Sequence, residues 1–265
     1  MKWPDDYVDR IVCGDCLDVM PIIHDKSVDL TVTSPPYDNL RTYNGHSQFD
    51  FEGISKELFR VTKLGGVVVW VVGDATINGS ETGTSFRQAL YFKEIGFNLH
   101  DTMIYRTNKP PMNDPRYQQS FEYMFIFSKG KPNAVTLIQE KCSKYGSKAT
   151  RYQGHRDKDG AFKERGGRVT TGQFKPRENI WYFYNGRGID DTKAFQHPAR
   201  FPEALAHDHI MSWSNPGHVI LDPMCGSGTT CKMAKQLNRH FIGIEINSDY
   251  CKIAEGRLRQ GVLEG

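Results

Sequence analysis

With 265 residues, of which 38% are apolar, 12% aromatic and 25% charged, the chain can bury a substantial core, and its composition excludes a disordered protein. The length suits one α/β domain with an insertion, or two small domains. The net charge of +3 says little as a whole, but residues 139–180 hold eleven Lys or Arg against five Asp or Glu, so one segment is basic and the remainder net negative.

No apolar run approaches about 18 residues, and Met1-Lys2-Trp3-Pro4-Asp5-Asp6 lacks the apolar core of a signal peptide, which leads us to expect an intracellular, cytoplasmic protein with no membrane partner. Six cysteines stand at 13, 16, 142, 225, 231 and 251, and only Cys13 and Cys16 are close in sequence. Without a second pair or spaced histidines, free reduced thiols are expected and no metal.

Taken in order, the first strand is predicted at Val8–Cys13, ending at Gly14-Asp15, with a helix or turn over Leu17–Ile23. A second strand, Val28–Thr33, runs into Ser34-Pro35-Pro36-Tyr37. Each proline fixes its own φ and lacks an N–H, and together they push Ser34 and Pro35 into extended geometry. The Ser34 hydroxyl and the Pro35 carbonyl then point outward as rigid acceptors beside an aromatic ring that can stack on a planar amine. Alone, such a stretch reads as a strand terminator.

Residues 38–48 read as a mobile loop, and Ile54, Leu58 and Val61 recur at helical spacing before Gly65-Gly66, expected to stop that helix. Val67–Val72 is an unbroken apolar strand ending at Gly73-Asp74. Phe86, Ala89 and Leu90 predict the apolar face of another helix, closed at Gly96, and strands follow at Leu99–Arg106 and Tyr123–Ser128. Periodicity fades beyond Lys131, where an insertion, residues 134–194, mixes glycines, bases and the aromatics Trp181-Tyr182-Phe183-Tyr184.

Order returns with His197-Pro198-Ala199-Arg200-Phe201-Pro202, Pro202 suiting the first turn of a helix that buries Ala206, Ile210 and Trp213. Strand Val219–Leu221 enters Asp222-Pro223-Met224-Cys225-Gly226-Ser227-Gly228-Thr229-Thr230, followed by a helix with Met233, Ala234 and Leu237 and by strand Phe241–Ile244 ending at Glu245. Ser248 is the expected N-cap of a last helix with Cys251, Ala254 and Leu258 inward.

Strands alternating with helices predict a doubly wound, mostly parallel sheet. Asp15, Ser34, Asp74, Asp222 and Glu245 all fall at or just past the carboxyl end of a predicted strand, the rim where open α/β sheets bind ligands. Gly226-Ser227-Gly228 lets backbone N–H groups approach a ligand at a helix start. Glu245, at the end of the next strand, stands where a carboxylate accepts from ribose hydroxyls, and Asp222 can pair with an ammonium. The pattern is neither Gly-x-Gly-x-x-Gly nor a P-loop, so a nucleoside cofactor with little phosphate, S-adenosyl-L-methionine, fits better than NAD or ATP.

These residues resemble the amino-methylating DNA methyltransferases of the permuted class, in which Ser/Asp/Asn-Pro-Pro-Tyr precedes Asp-Pro-Phe-x-Gly-Ser-Gly-Thr-Thr. The resemblance covers most of residues 8–133 and 195–260, with Met224 where phenylalanine is usual. It implies a Rossmann-like S-adenosylmethionine-dependent fold, with residues 1–133 as catalytic half, 134–194 as basic target-recognition insertion and 195–265 as cofactor half. Ser34, Pro35, Pro36 and Tyr37 would carry the chemistry. Asp15 would hold the adenine amino group and Glu245, with Ile246 and Asn247, the ribose. Asp222, Pro223, Gly226, Ser227, Gly228 and Thr229 would hold the methionine part, and residues 197–202 resemble the family's further cofactor element.

Double-stranded DNA is the implied partner, its phosphates met by Lys141, Lys144, Lys148, Arg151, Arg156, Arg165, Arg168 and Lys175, with nucleoid association when bound. A solvated basic loop is the rival reading of that segment. A homodimer and a cognate restriction enzyme remain open. Family members with Ser first mostly methylate cytosine N4, and those with Asp or Asn first mostly adenine N6, so Ser34 favours cytosine. No Pro-Cys dipeptide is present to serve carbon-5 chemistry. Two readings from other classes stand beside this one: a dinucleotide-dependent oxidoreductase, which leaves Ser34–Tyr37 unexplained, and a catalytically idle DNA-binding protein.

Overall fold

The computed structural model describes residues 3–36, 49–107, 116–143, 145, 148–156, 158–170, 172–183 and 201–260. Tyr37, the loop 38–48, Lys144 and residues 197–200, all singled out in the sequence, lie outside them. The chain divides into two units, residues 1–136 with 179–265, and residues 137–178.

In chain order the larger unit has β1 (Arg10–Cys13), α1 (Cys16–Val19), a 3₁₀ turn (Met20–Ile22), β2 (Val28–Thr33), α2 (Phe51–Val61) and β3 (Thr62–Val72). The short hairpin β4 (Thr76–Ile77) and β5 (Ser80–Glu81) precedes α3 (Thr84–Glu94), β6 (Asn98–Arg106) and β7 (Phe121–Ser128). The smaller unit holds β8 (Gln139–Lys141), β9 (Lys148–Arg156), β10 (Phe162–Thr170) and β11 (Phe174–Pro176). The larger unit then resumes with β12 (Ile180–Tyr182), α4 (Glu203–Trp213), β13 (Val219–Asp222), α5 (Thr229–Gln236), β14 (His240–Glu245) and α6 (Ser248–Gln260).

One sheet has the order β1-β14-β13-β2-β3-β7-β6-β12. Only β7 runs against the others, antiparallel to β3 and β6. β2 leads through α2 to β3 on one side, while β13 leads through α5 to β14 on the other, so the boundary between β13 and β2 is the sheet's switch point. α1, α2 and α3 pack on one face, and α4, α5 and α6 on the other. The doubly wound, mostly parallel sheet expected from the alternation is therefore what forms.

The core follows from the apolar run in β3, buried from Val67 to Val72 because helices cover both faces. Trp70 at its centre is fully buried, and its indole N–H donates to Gln88 of α3 at 2.9 Å, which removes the cost of an unpaired donor in that layer. Phe92 stacks on Phe127 at 4.4 Å and meets Trp70 edge-on at 5.2 Å.

Several sequence expectations shift. Gly65-Gly66 do not stop α2, which ends at Val61; both lie inside β3, where Gly65 has φ +82° and a Cβ would sit 2.1 Å from Asn133. The glycines serve a close backbone approach, with the Gly65 N–H on the Lys129 carbonyl at 2.6 Å. Phe86 and Leu90 do not face inward: they are 51% and 66% exposed, while Ser85, Gln88, Ala89 and Phe92 form the buried side of α3. Asn247, not Ser248, caps α6, its Oδ1 accepting from the N–H groups of Asp249 at 2.9 Å and Tyr250 at 3.3 Å. Residues 180–182, read from sequence as insertion, pair with β6 at the sheet edge.

Candidate active site

Four adjacent strands bring the carboxyl-end residues together. In the sheet order β1-β14-β13-β2, their ends lead to Asp15, Glu245, Asp222 and Ser34, drawn from positions more than 200 residues apart. Parallel pairing sets Cys13 beside Glu245 and Asp222 beside Gly243, and the Gly14 N–H donates to the Glu245 carbonyl at 2.9 Å.

Asp222 is 6% exposed at the end of β13. Its Oδ1 accepts from the Thr33 hydroxyl at 2.8 Å and from the Met224 N–H at 3.3 Å. Burial pushes its carboxyl up to about 6; hydrogen bonds from Thr33 and Met224 oppose the shift and the charge of Glu245 adds to it. Among the described residues no Lys or Arg pairs with it. Thr230, in the first turn of α5, donates to the Val32 carbonyl at 3.1 Å, so the loop after β13 is tied to β2 directly before Ser34. Ser34 is half-buried, Pro35 buried and Pro36 half-buried.

Glu245 is 8% exposed. One carboxylate oxygen accepts from the Gly226 N–H at 2.9 Å and the other from the Asn247 N–H at 2.8 Å. Burial raises its pKa, and these amide donors oppose the rise. Ile246 is half-buried next to it. Asp15, exposed, caps α1 by accepting the Leu17 N–H at 2.8 Å. Asp74 is occupied elsewhere, at the first turn of α3: it accepts the Ser85 N–H at 2.8 Å and the Ser85 hydroxyl at 2.5 Å.

In the loop, Pro223, Gly226, Ser227, Gly228 and Thr229 are all buried. Gly228 precedes α5 with φ +75°, and a Cβ there would lie 2.8 Å from Ala254 of α6, so helix approach alone already requires glycine. The hydroxyls of Ser227 and Thr229 face Arg257 of α6, which donates to them at 2.9 and 3.0 Å and to the Ser227 carbonyl at 2.6 Å. Thr33, Thr230 and Arg257 escaped the sequence reading. Arg257 had a visible signal: it stands between Ala254 and Leu258 on the apolar stripe of α6, a charge where the helix turns inward.

Of the basic positions, Lys141 lies exposed in β8, and Lys175 in β11 bridges Glu140 at 3.0 Å and Glu178 at 2.9 Å. Lys148, Arg151 and Arg156 take ladder positions in β9, and Arg165 and Arg168 in β10. β9 and β10 form an antiparallel ribbon paired along nine residues.

A mostly parallel sheet with a glycine loop and two buried carboxylates beside its switch point, neither paired with a cation among the described residues, defines an α/β protein of the Rossmann-like class. A family model described as DNA methylase matches residues 28–256. The chain belongs to that family, the amino-methylating DNA methyltransferases. It is 55% identical over 245 residues, 91% of this chain and 92% of the relative, to the orphan methyltransferase M.BamHII of Bacillus amyloliquefaciens. Among solved structures it resembles the cytosine-N4-specific PvuII DNA methyltransferase, with TM-score 0.68 and 20% identity over 93% of this chain and 85% of that one. It also resembles a DNA modification methylase from Thermus thermophilus complexed with S-adenosyl-L-methionine, with TM-score 0.63 and 22% identity over 97% and 95% of the two chains. No helix among the described residues is long and apolar enough to cross a membrane.

Proposed function

We propose that this protein methylates the exocyclic N4 of a cytosine rotated out of duplex DNA, using S-adenosyl-L-methionine. The observation that carries the methyltransferase reading is the Thr33–Asp222 hydrogen bond of 2.8 Å, which joins the residue before Ser34-Pro35-Pro36 to the buried acid of the glycine loop, and Ser34 as first residue of that stretch is what favours cytosine.

The residues fit the cofactor. Asp222 is a desolvated carboxylate with neutral donors only, suited to an ammonium. Glu245 accepts the Gly226 N–H on one oxygen and the Asn247 N–H on the other, and a carboxylate with about four acceptor sites would still have capacity for a ribose hydroxyl. Asp15 would take the adenine amine, Ile246 and Asn247 would flank the ribose, and the backbone from Pro223 to Thr229 would enclose the methionine part. When bound, the cofactor supplies an electrophilic methyl on a sulfonium.

Ser34 Oγ and the Pro35 carbonyl would accept the two N–H groups of the base amine, favouring a pyramidal nitrogen whose lone pair is free to attack. Pro36 holds that backbone extended, and Tyr37 would stack on the base, offsetting part of the few kcal/mol that flipping costs. The base amine so held would take up the methyl that the cofactor supplies, and its surplus proton would leave to water. Positioning and electrostatics suffice, without a covalent enzyme intermediate.

DNA would be held by Lys141, Lys144, Lys148, Arg151, Arg156, Arg165 and Arg168. A two-stranded ribbon such as β9–β10 has the dimensions the major groove admits. Lys175 contributes less, its charge being met by Glu140 and Glu178. The orphan designation of M.BamHII supports a protein working without a cognate restriction enzyme.

Digestion of DNA methylated by the purified protein, followed by nucleoside chromatography, is expected to yield N4-methylcytosine; N6-methyladenine alone would overturn the cytosine assignment, and no methyl incorporation would overturn the activity. Ser34→Ala should lower turnover by about 10²-fold or more while cofactor affinity persists, and simultaneous loss of both would remove Ser34 from the catalytic role.

A further inference from the structure

Arg257 is 1% exposed, and a guanidinium in so dry a place is costly unless its donors are met. Its Nη1 converges on the Ser227 carbonyl at 2.6 Å, the Ser227 hydroxyl at 2.9 Å and the Thr229 hydroxyl at 3.0 Å, and its Nη2 donates to Glu203 at 2.7 Å. The same Glu203 oxygen, in the first turn of α4, takes the Lys232 ammonium of α5 at 2.8 Å. Arg257 therefore touches three oxygens of one loop and, through Glu203, the helix that follows residues 197–202.

The consequence lies in the direction of one peptide. With the Ser227 carbonyl turned toward α6, the planar trans peptide sends the Gly228 N–H the opposite way, where it donates to the Cys225 carbonyl at 2.7 Å. Gly226 is held separately, by Glu245. The loop is thus fixed from behind by charge-assisted hydrogen bonds from Nη1 of Arg257 to Ser227 and Thr229, while Nη2 holds Glu203, and from β14 by a carboxylate. A leucine at 257 would pack on the same stripe of α6 and leave the Ser227 carbonyl without its donor.

We propose that Arg257, with Glu203 as its counter-charge, is a positioning residue for cofactor binding: it sets the Ser227–Gly228 peptide so that the loop meets the ligand preformed. This rests on the methyltransferase reading of the loop. Arg257 does not touch the cofactor in this proposal; its effect passes through the backbone it holds.

The test is calorimetric titration of wild type, Arg257→Lys and Glu203→Gln with S-adenosyl-L-methionine and S-adenosyl-L-homocysteine, alongside thermal melts and DNA affinity by fluorescence anisotropy. Lysine keeps the charge but cannot fork, so Arg257→Lys is expected to weaken both ligands by about tenfold while binding DNA within about twofold of wild type. A merely structural role would lower the melting temperature and the fraction of competent protein and leave the Kd of that fraction unchanged, and that result overturns the proposal. If Arg257→Lys fails to fold, Glu203→Gln, which leaves the loop's own residues intact, decides it: a Kd raised by about threefold or more supports the positioning role, and a wild-type Kd overturns it. Wild-type protein that binds neither ligand would instead sink the methyltransferase reading, and this inference with it.

Discussion

The two rims of the sheet treat their carboxylates differently. Toward the amino ends of β1 and β2 three acids have basic partners: Asp29 accepts from Lys63 at 2.7 Å and from the Val219 N–H at 2.9 Å, Asp9 meets His240 at 2.8 Å and the Phe241 N–H at 3.1 Å, and Asp25 meets Arg60 at 2.5 Å. At the carboxyl ends Asp222 and Glu245 also accept backbone amides, but among the described residues neither has a cation. The amino-end acids are finished interactions that brace β2, β13 and β14. The carboxyl-end acids are desolvated and, among the described residues, without a cation, the environment that perturbs titratable groups at functional sites.

Exchanging the acids one at a time breaks the comparison most sharply. Asp222→Asn is expected to weaken S-adenosyl-L-methionine binding by about 100-fold or more at pH 8, since an ammonium held there would lose the charge of the acid it pairs with. The same change should stabilise the apoprotein at pH 7, by on the order of 2 kcal/mol, because the folded state no longer has to ionise a dry carboxyl. The sign follows from the direction of the shift. A folded pKa of about 6, above the ordinary 3.8, gives a contribution fully present below the unfolded value and lost as pH rises through about 6. Urea melts at pH 4.5 and pH 7 should show wild type losing more stability across that window than Asp222→Asn. Asp29→Asn should do the reverse, costing about 1–3 kcal/mol of stability with cofactor affinity intact. An Asp222→Asn protein with lowered stability and unchanged affinity would place that acid with the amino-end set.

A smaller effect comes from pH alone. An ammonium pairing with Asp222 requires the ionised form, so cofactor affinity should fall by about tenfold per unit as pH drops below about 6, in calorimetric titrations of wild type. Affinity flat from pH 5 to 7 would mean that the acid is not the ammonium's partner.

The same contrast explains what the sequence discloses. The strands β2, β3, β13 and β14 are legible because local alternation or an unbroken apolar run specifies them, and Ser34, Asp222 and Glu245 are legible because they follow those strands. What binds them together is not local. Thr33 reads as the last residue of a strand until β13 is known to lie beside β2 and bring Asp222 within 2.8 Å. Arg257 belongs to the loop only because α6 returns across α5. Phe86 and Leu90 have the spacing of a core face, but hydrophobicity alone does not disclose that Gln88 serves the Trp70 indole and so fixes which side of α3 turns inward. β12 is hidden because three residues of an aromatic run carry no period, and its partner β6 lies more than 70 residues earlier.

The smallest expected effect isolates one hydrogen bond on the carboxyl rim. Thr33→Val keeps the shape of a side chain that is 1% exposed and removes the hydroxyl that donates to Asp222. That bond favours the charged carboxylate, so its loss should move the pKa of Asp222 further up and carry the pH dependence of cofactor affinity upward with it. At pH 7 the expected loss of affinity is about threefold, shrinking at pH 9 where the carboxyl is ionised in either protein. Thr33→Ser, which restores the donor, should return the profile to wild type. A Thr33→Val profile that falls equally at every pH would show the hydroxyl acting through packing of β2 on β13, and not through the charge of the acid it touches.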